Sequence, residues 1–261
     1  MSDVLAISLL SMQQDMGRLE RISLNMANAT TPGYKREVVT SLPMGASGFV
    51  DAMRGADASW SGTAQPASTS VAAAPFMVQT DLRPSTLKTT GQSLDVALAN
   101  SGFFEVSTRA GLAYTRQGNW QLDPRGRLVT AKGHPVMGVG GEIVLTRPNP
   151  VIDAVGQVFE SRPGGGAEAT PVAQLKVVGF DNGTDLQRMG EGLVTTQQVP
   201  NQLADADIQV RQGFLENSNV NSMQEMAQLI QSMRHFESMQ KVALGYDEMI
   251  GGAVRKLGEM S

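Results

Sequence analysis

The chain has 261 residues, enough for one large domain or two modest ones around a buried core. Only 18% of residues are charged, below the roughly 25% of ordinary soluble chains, and Ser, Thr, Gln, Asn and Gly take their place. A net charge of −4 argues against a nucleic-acid binder, and the absence of cysteine excludes disulfides, thiol nucleophiles and Cys-ligated metals.

Residues 4–28 read as a helix. Leu5, Leu9, Met12, Met16, Leu19, Ser23 and Met26 follow alternating steps of four and three, a heptad-like seam with one polar member. Ser2 or Asp3 suits its N-cap. Asn28 and Thr30-Thr31-Pro32-Gly33 end it, because Pro32 disfavours a helical Thr31 and Pro32-Gly33 fits the centre of a type II turn. The apolar run Val4 to Leu10 is broken by Ser8 and falls far short of the about 20 residues that span a membrane. The first arginine, Arg18, follows that run, so the basic start of a secretory leader is missing. Any export is expected to proceed without a cleaved leader.

Residues 36–75 read as an extended connecting segment, rich in Ala, Ser and Gly from residue 45 on. From 76 to 212 the pattern changes to short strands. Leu94–Leu98, Phe103–Val106, Ala113–Arg116, Asn119–Leu122, Arg127–Thr130, Ile143–Leu145, Val158–Phe159, Val172–Phe180 and Ile208–Val210 are separated by turn signals. Asp123-Pro124-Arg125-Gly126 is a strong turn, and Asp181-Asn182-Gly183 is a hairpin signal. Ser161 to Ala169 reads as an exposed loop. Strands at this spacing without long intervening helices predict an antiparallel β domain.

The closing segment, 213–261, repeats the opening design. Met226, Leu229, Met233, Phe236, Gln240, Ala243, Asp247, Ile250, Val254 and Leu257 keep the alternating step, and Asn221 with Gln224 forms a capping-box pattern. Ten of the fifteen methionines lie in residues 1–26 and 223–260, where a flexible thioether suits either the filled core of a helix pair or adaptable contact surfaces. The other face carries Gln224, Gln228, Gln231, Ser232 and Ser238, fewer charges than a solvated face usually shows. The predicted fold class is therefore α+β: paired, coiled-coil-like N- and C-terminal helices with an inserted antiparallel β domain.

No catalytic constellation emerges. His134 lies in a turn and His235 on the long helix, with no ligand spacing between them. Gly45-Ala46-Ser47-Gly48 is not a nucleophile elbow, and Gly138-Val139-Gly140-Gly141 lacks the dinucleotide fingerprint. Asp205 and Asp207 read as solvated acids. The expectation is a non-enzyme without cofactor, metal or small-molecule ligand, and without a membrane-spanning segment.

Three segments together resemble the flagellar rod and hook family of bacteria. The first runs Leu24-Asn25-Met26-Ala27-Asn28-Ala29-Thr30-Thr31-Pro32-Gly33-Tyr34-Lys35-Arg36. The second joins Leu94–Leu98, Gly102-Phe103-Phe104, Tyr114-Thr115-Arg116, Gly118-Asn119 and Gly126–Thr130. The third is Gly213-Phe214-Leu215-Glu216-Asn217-Ser218-Asn219-Val220-Asn221 before the Met/Gln helix. Length and the lack of a large insertion resemble rod proteins rather than the hook protein. Gly133–Gly138, Ala173–Val178 and Arg234–Glu237 are similar to the proximal-rod, F-type member, whereas Gly102-Phe103-Phe104 is more like the distal-rod member.

The resemblance implies a structural subunit of the basal-body rod, exported by the flagellar type III apparatus and polymerised into a torque-transmitting shaft across the periplasm. Its implied partners are other copies of itself and neighbouring rod proteins. The implied assembly interface comprises Leu5, Leu9, Met12, Met16, Leu19 and Met26; Asn28, Thr31, Gly33 and Tyr34; Asn219 and Asn221; and Met226, Leu229, Met233, Phe236, Ala243 and Ile250. The distal-rod paralogue is one alternative reading, and a periplasmic binding or glycan-acting module is another.

Overall fold

Helix α1 (Asp3–Ala27) and helix α2 (Ser222–Gly258) stand near the two ends of the chain. At 1.5 Å per residue they are about 38 and 55 Å long. The computed structural model describes residues 3–41, 76–162, 168–180 and 186–258. The connecting stretch 45–75, the Asp181-Asn182-Gly183 signal and the middle of the 161–169 loop lie outside the described residues, as does Ser2. No described helix is long and apolar enough to cross a membrane.

The chain divides into two units. The first holds residues 3–24, 38–41, 76–78 and 223–258 of the described chain. The second holds Asn25–Glu37 and, apart from the undescribed loops, Gln79–Ser222.

The α1 helix ends where the turn chemistry predicts. Asn28 N–H donates to Asn25 O, Ala29 N–H to Met26 O and Thr31 N–H to Asn28 O, at 3.1–3.2 Å. The chain then turns at Pro32-Gly33, where Gly33 has φ +69° and Tyr34 N–H donates to Thr31 O at 3.3 Å. A side chain there is disfavoured twice over. The backbone is left-handed, and an added Cβ would lie 2.5 Å from the carbonyl carbon of Arg116.

The second unit is built on a six-stranded antiparallel sheet. Its strand order is Leu186–Gly190, Leu193–Thr196, Gly111–Thr115, Phe103–Thr108, Val177–Gly179, Asn201–Gln202. Around it lie two-stranded pairs, among them Val96–Leu98 with Val210–Gln212, Leu87–Thr89 with Phe214–Glu216, and Trp120–Leu122 with Leu128–Thr130. The main core gathers Val96, Leu98, Phe104, Val106, Trp120, Leu128, Val136, Ile143, Val158, Leu175 and Val177. Phe104 meets Trp120 edge-on at 4.8 Å between ring centres. A second cluster, Phe103, Tyr114, Val178, Leu186 and Val194, packs with Phe180.

Several strands differ from the sequence reading for identifiable reasons. Leu94–Leu98 alternates in sequence, yet Val96, Ala97 and Leu98 are all buried, because the short strand is covered on both faces. Val172–Phe180 is two strands, Ala173–Gln174 and Val177–Gly179, which join different sheets. Ile143–Leu145 forms no strand of its own and bridges Arg127 only at Val144. The Asp123–Gly126 turn forms as read: Asp123 Oδ1 accepts from Arg125 N–H and Arg127 N–H, both at 2.8 Å. Asp205–Asp207 is one turn of 3-10 helix.

Candidate functional site

The helices of the first unit show which faces the chain itself covers. On the part of α1 in the first unit the buried positions are Ser8, Asp15 and Ile22, a strict seven-residue row. Met12, Leu19 and Met26 beside them are half-buried. Leu5, Leu9 and Met16 remain exposed, the last two by 54% and 61%. On α2 the buried positions are Glu225 and Ser232, and Leu229, Phe236 and Ala243 are half-buried. Met226, Met233 and Ile250 are 51%, 49% and 44% exposed.

The covered stripe is thus turned by about one residue from the apolar seam read in the sequence, roughly 100° of helix rotation for half of its members. The row 12–19–26 is shared by both stripes, as is 229–236–243. Polar Ser8 and Asp15 replace Leu9 and Met16 on the covered side, and Glu225 and Ser232 replace Met226 and Met233. A buried carboxylate needs a partner. Asp15 has one in His235, whose Nδ1 lies 2.6 Å from Asp15 Oδ2.

The signature segments meet in the second unit, in a buried polar joint. Asn25 closes a ring with the turn: its Oδ1 accepts from Tyr34 Oη–H at 3.1 Å and Glu37 N–H at 3.0 Å, and its Nδ2 donates to Glu37 O at 2.9 Å. The Arg188 guanidinium lies 4.3 Å from the centre of the Tyr34 ring, pairs with Glu37 Oε1 at 2.7 Å and donates to Lys35 O at 2.7 Å. Asn219 ties the third segment to the first. Its Oδ1 accepts from Arg36 N–H at 2.6 Å, and its Nδ2 donates to Asp81 O at 3.0 Å.

At the centre lies Glu216, with its side chain fully buried. Its Oε1 accepts from Lys35 Nζ at 2.8 Å and Ser85 N–H at 2.8 Å, and its Oε2 lies 3.3 Å from Arg116 Nε. Lys35 and Arg116 are themselves 4% and 1% exposed at the side chain. One carboxylate therefore faces two buried cations. Burial pushes the Lys35 ammonium below its ordinary pKa, the Arg116 charge adds to this, and Glu216 opposes both. Burial lowers Arg116 as well, against the pull of Glu216.

Of the residues assigned from the signatures, Gly33 and Tyr34 are buried in this joint, and the Asn219 amide is engaged within the chain. Thr31 Oγ1–H donates to Asn28 Oδ1 at 3.2 Å. Asn221 immediately precedes α2. Asn25, Lys35, Arg116, Arg188 and Glu216 carry the joint, although sequence reasoning gave them no role. A lone glutamate in the otherwise uncharged stretch Gly213–Asn221 was the available signal.

Two family models match the chain: flagellar basal body rod FlgEFG protein C-terminal over residues 211–255, and flagellar hook protein FlgE/F/G D1 domain over residues 97–160. The flagellar basal-body rod protein FlgF of Escherichia coli is 32% identical over 88% of each chain. The chain belongs to the flagellar basal-body rod protein family. Among its other relatives, FlgF of Caulobacter vibrioides is 30% identical over 97% of each chain. FlgG of Bacillus subtilis is 29% identical over 89% of this chain and 90% of its own. This rod-protein family is structural rather than enzymatic. Its C-terminal match takes in Glu216, Asn219 and most of α2, and its D1 match takes in Arg116 and the main-core residues from Leu98 to Val158.

Proposed function

We propose that this protein is an F-type structural subunit of the bacterial flagellar rod, joined to its neighbours through α1 and α2. Rod-protein family membership supports the place of action. The observation that carries the mode of assembly is the apolar surface left open on the helices. Leu9, Met16, Met226, Ile230 and Met233 are each about half exposed or more, whereas the β unit encloses its own core. Covering one large apolar side chain contributes about 1.5–3 kcal/mol, so a few such residues per subunit suffice for a stable polymer contact. Contacts of this kind between identical subunits are heterologous and open-ended, as a shaft requires.

In this reading α1 and α2 pair in a coiled-coil-like way along their half-buried rows and present the exposed rows to other copies and to neighbouring rod proteins. The exposed seam residues make the intersubunit contacts, whereas Gly33, Tyr34 and Asn219 act inside the subunit by fixing its joint. The subunit passes through the type III export apparatus and takes its place where the rod crosses the periplasm.

The test uses the full chain in a strain lacking it. The triple variant Met16→Glu, Met226→Glu, Met233→Glu places charges only at exposed positions, so the monomer keeps its circular dichroism and melting temperature. Loss of motility and of rod incorporation is the expected result. Normal incorporation of the folded triple variant would overturn the assignment of these helix faces to assembly.

A further inference from the structure

The exposed methionines of the helices carry a chemistry that aliphatic side chains in the same places would not. Met16, Met226 and Met233 are 61%, 51% and 49% exposed, and Met223 and Met249 are 79% and 66% exposed. Met12, Met26 and Met239, on the same helices, are half-buried. Met16 falls in the row of Leu9, and Met226 and Met233 flank Ile230. A thioether in such a position is open to a two-electron oxidant, and the sulfoxide is polar where the thioether was apolar. Nothing chemical requires methionine here, since leucine has a similar volume and a better-defined rotamer.

We propose that Met16, Met226 and Met233 form a reversible oxidation site, at which conversion to the sulfoxide blocks assembly of the free subunit. Hydrogen peroxide or hypochlorous acid transfers one oxygen atom to each sulfur, the sulfur loses two electrons, and water or chloride leaves. A thiol-dependent sulfoxide reductase reverses the change by taking the oxygen off as water. The effect follows from position. One oxygen on each of the three side chains puts a strong hydrogen-bond acceptor beside the exposed Leu9 and Ile230, and docking of another copy there has to desolvate it. Oxidation of Met77 or Met189, 42% and 43% exposed on β strands, leaves that face unchanged. In the polymer the three sulfurs are covered, so the site acts on subunits before assembly. The inference rests on the proposed use of these helix faces in assembly.

The experiment uses the full-length chain and hydrogen peroxide as the probe. Peptide mass mapping against time should show Met16, Met226 and Met233 gaining oxygen about fivefold or more faster than Met12, Met26 and Met239, in line with their exposure. Sedimentation velocity should show self-association weakened about tenfold or more after oxidation and restored by methionine sulfoxide reductase. Whatever the untreated association of the triple variant Met16→Leu, Met226→Leu, Met233→Leu, that association should change less than about twofold on peroxide treatment, because the three sulfurs that respond are gone. Equal oxidation rates at exposed and half-buried methionines, unchanged association of the oxidised parent, or equal peroxide sensitivity of the leucine variant would each overturn the proposal. Failure of the untreated parent to associate at any concentration would instead overturn the assembly reading of the helices, and this inference with it.

Discussion

Replacing Glu216 by Gln should destabilise the β unit by about 3–5 kcal/mol, the usual cost of leaving a buried charge without its counter-ion. The estimate follows from the geometry. Gln keeps the shape and retains an oxygen to accept from Lys35 Nζ and Ser85 N–H, so those contacts, both 2.8 Å, survive. The negative charge between two cations of 4% and 1% side-chain exposure disappears. Against a typical domain stability of about 5–15 kcal/mol this loss is large. It is measured by urea unfolding followed through the fluorescence of buried Trp120, in a Trp60→Phe background. Adding Lys35→Met removes one of the stranded charges, so the double variant should recover at least about 1 kcal/mol relative to additivity. The alkaline limb supplies a second check. Because the folded-state pKa of Lys35 lies below its ordinary 10.5, the unfolded chain binds more protons between those two values, and stability rises with pH across that window. Without Glu216 the window widens downward and the rise grows larger. A Glu216→Gln chain that loses less than about 1 kcal/mol, with no coupling to Lys35, would refute the buried-joint account.

Other consequences can be measured on the same system. Gly33→Ala should lower stability by more than the about 1–2 kcal/mol of a left-handed non-glycine residue, because its Cβ also meets the Arg116 backbone at 2.5 Å. Gly140→Ala, with open space around it, should leave the thermal melt unchanged. Tyr34→Phe removes only the hydroxyl donated to Asn25 and should cost about 0.5–1.5 kcal/mol, whereas Asn25→Ala also leaves Glu37 N–H and C=O without that amide and should cost more in the same melt. In acid, the backbone N–H and then the hydroxyl of Thr146 hold Glu160 below the usual carboxylate range, so its contribution is complete above the ordinary glutamate pKa and is lost as pH falls through the lowered value. Thr146→Val should therefore flatten the acid limb of a pH–stability curve, with little change in slope above pH about 6.

The parts of this fold that short-range chemistry governs were legible in the residues. The apolar spacing predicts a helix over 4–28 and Asp3–Ala27 is helical; the capping pattern at Asn221 is followed by a helix from Ser222. Pro32-Gly33 and Asp123–Gly126 declared their turns, because proline fixes φ, glycine admits the left-handed region and an aspartate oxygen caps the following amides. Rod-protein family membership was likewise carried by contiguous signatures. Three things only the tertiary structure decided. The covered side of each helix is one, since a seam of period 3.5 leaves two neighbouring rows to choose between, and the choice of Asp15 over Met16 depends on His235, a partner 220 residues away in sequence. The second is strand pairing, in which Val172–Phe180 is divided between two sheets because its halves have different neighbours. The third is the joint, where Lys35 and Glu216, 181 residues apart, become ion-pair partners. A charged side chain in a sequence reads as a solvated one, and only the packing that removes its water turns it into a structural element.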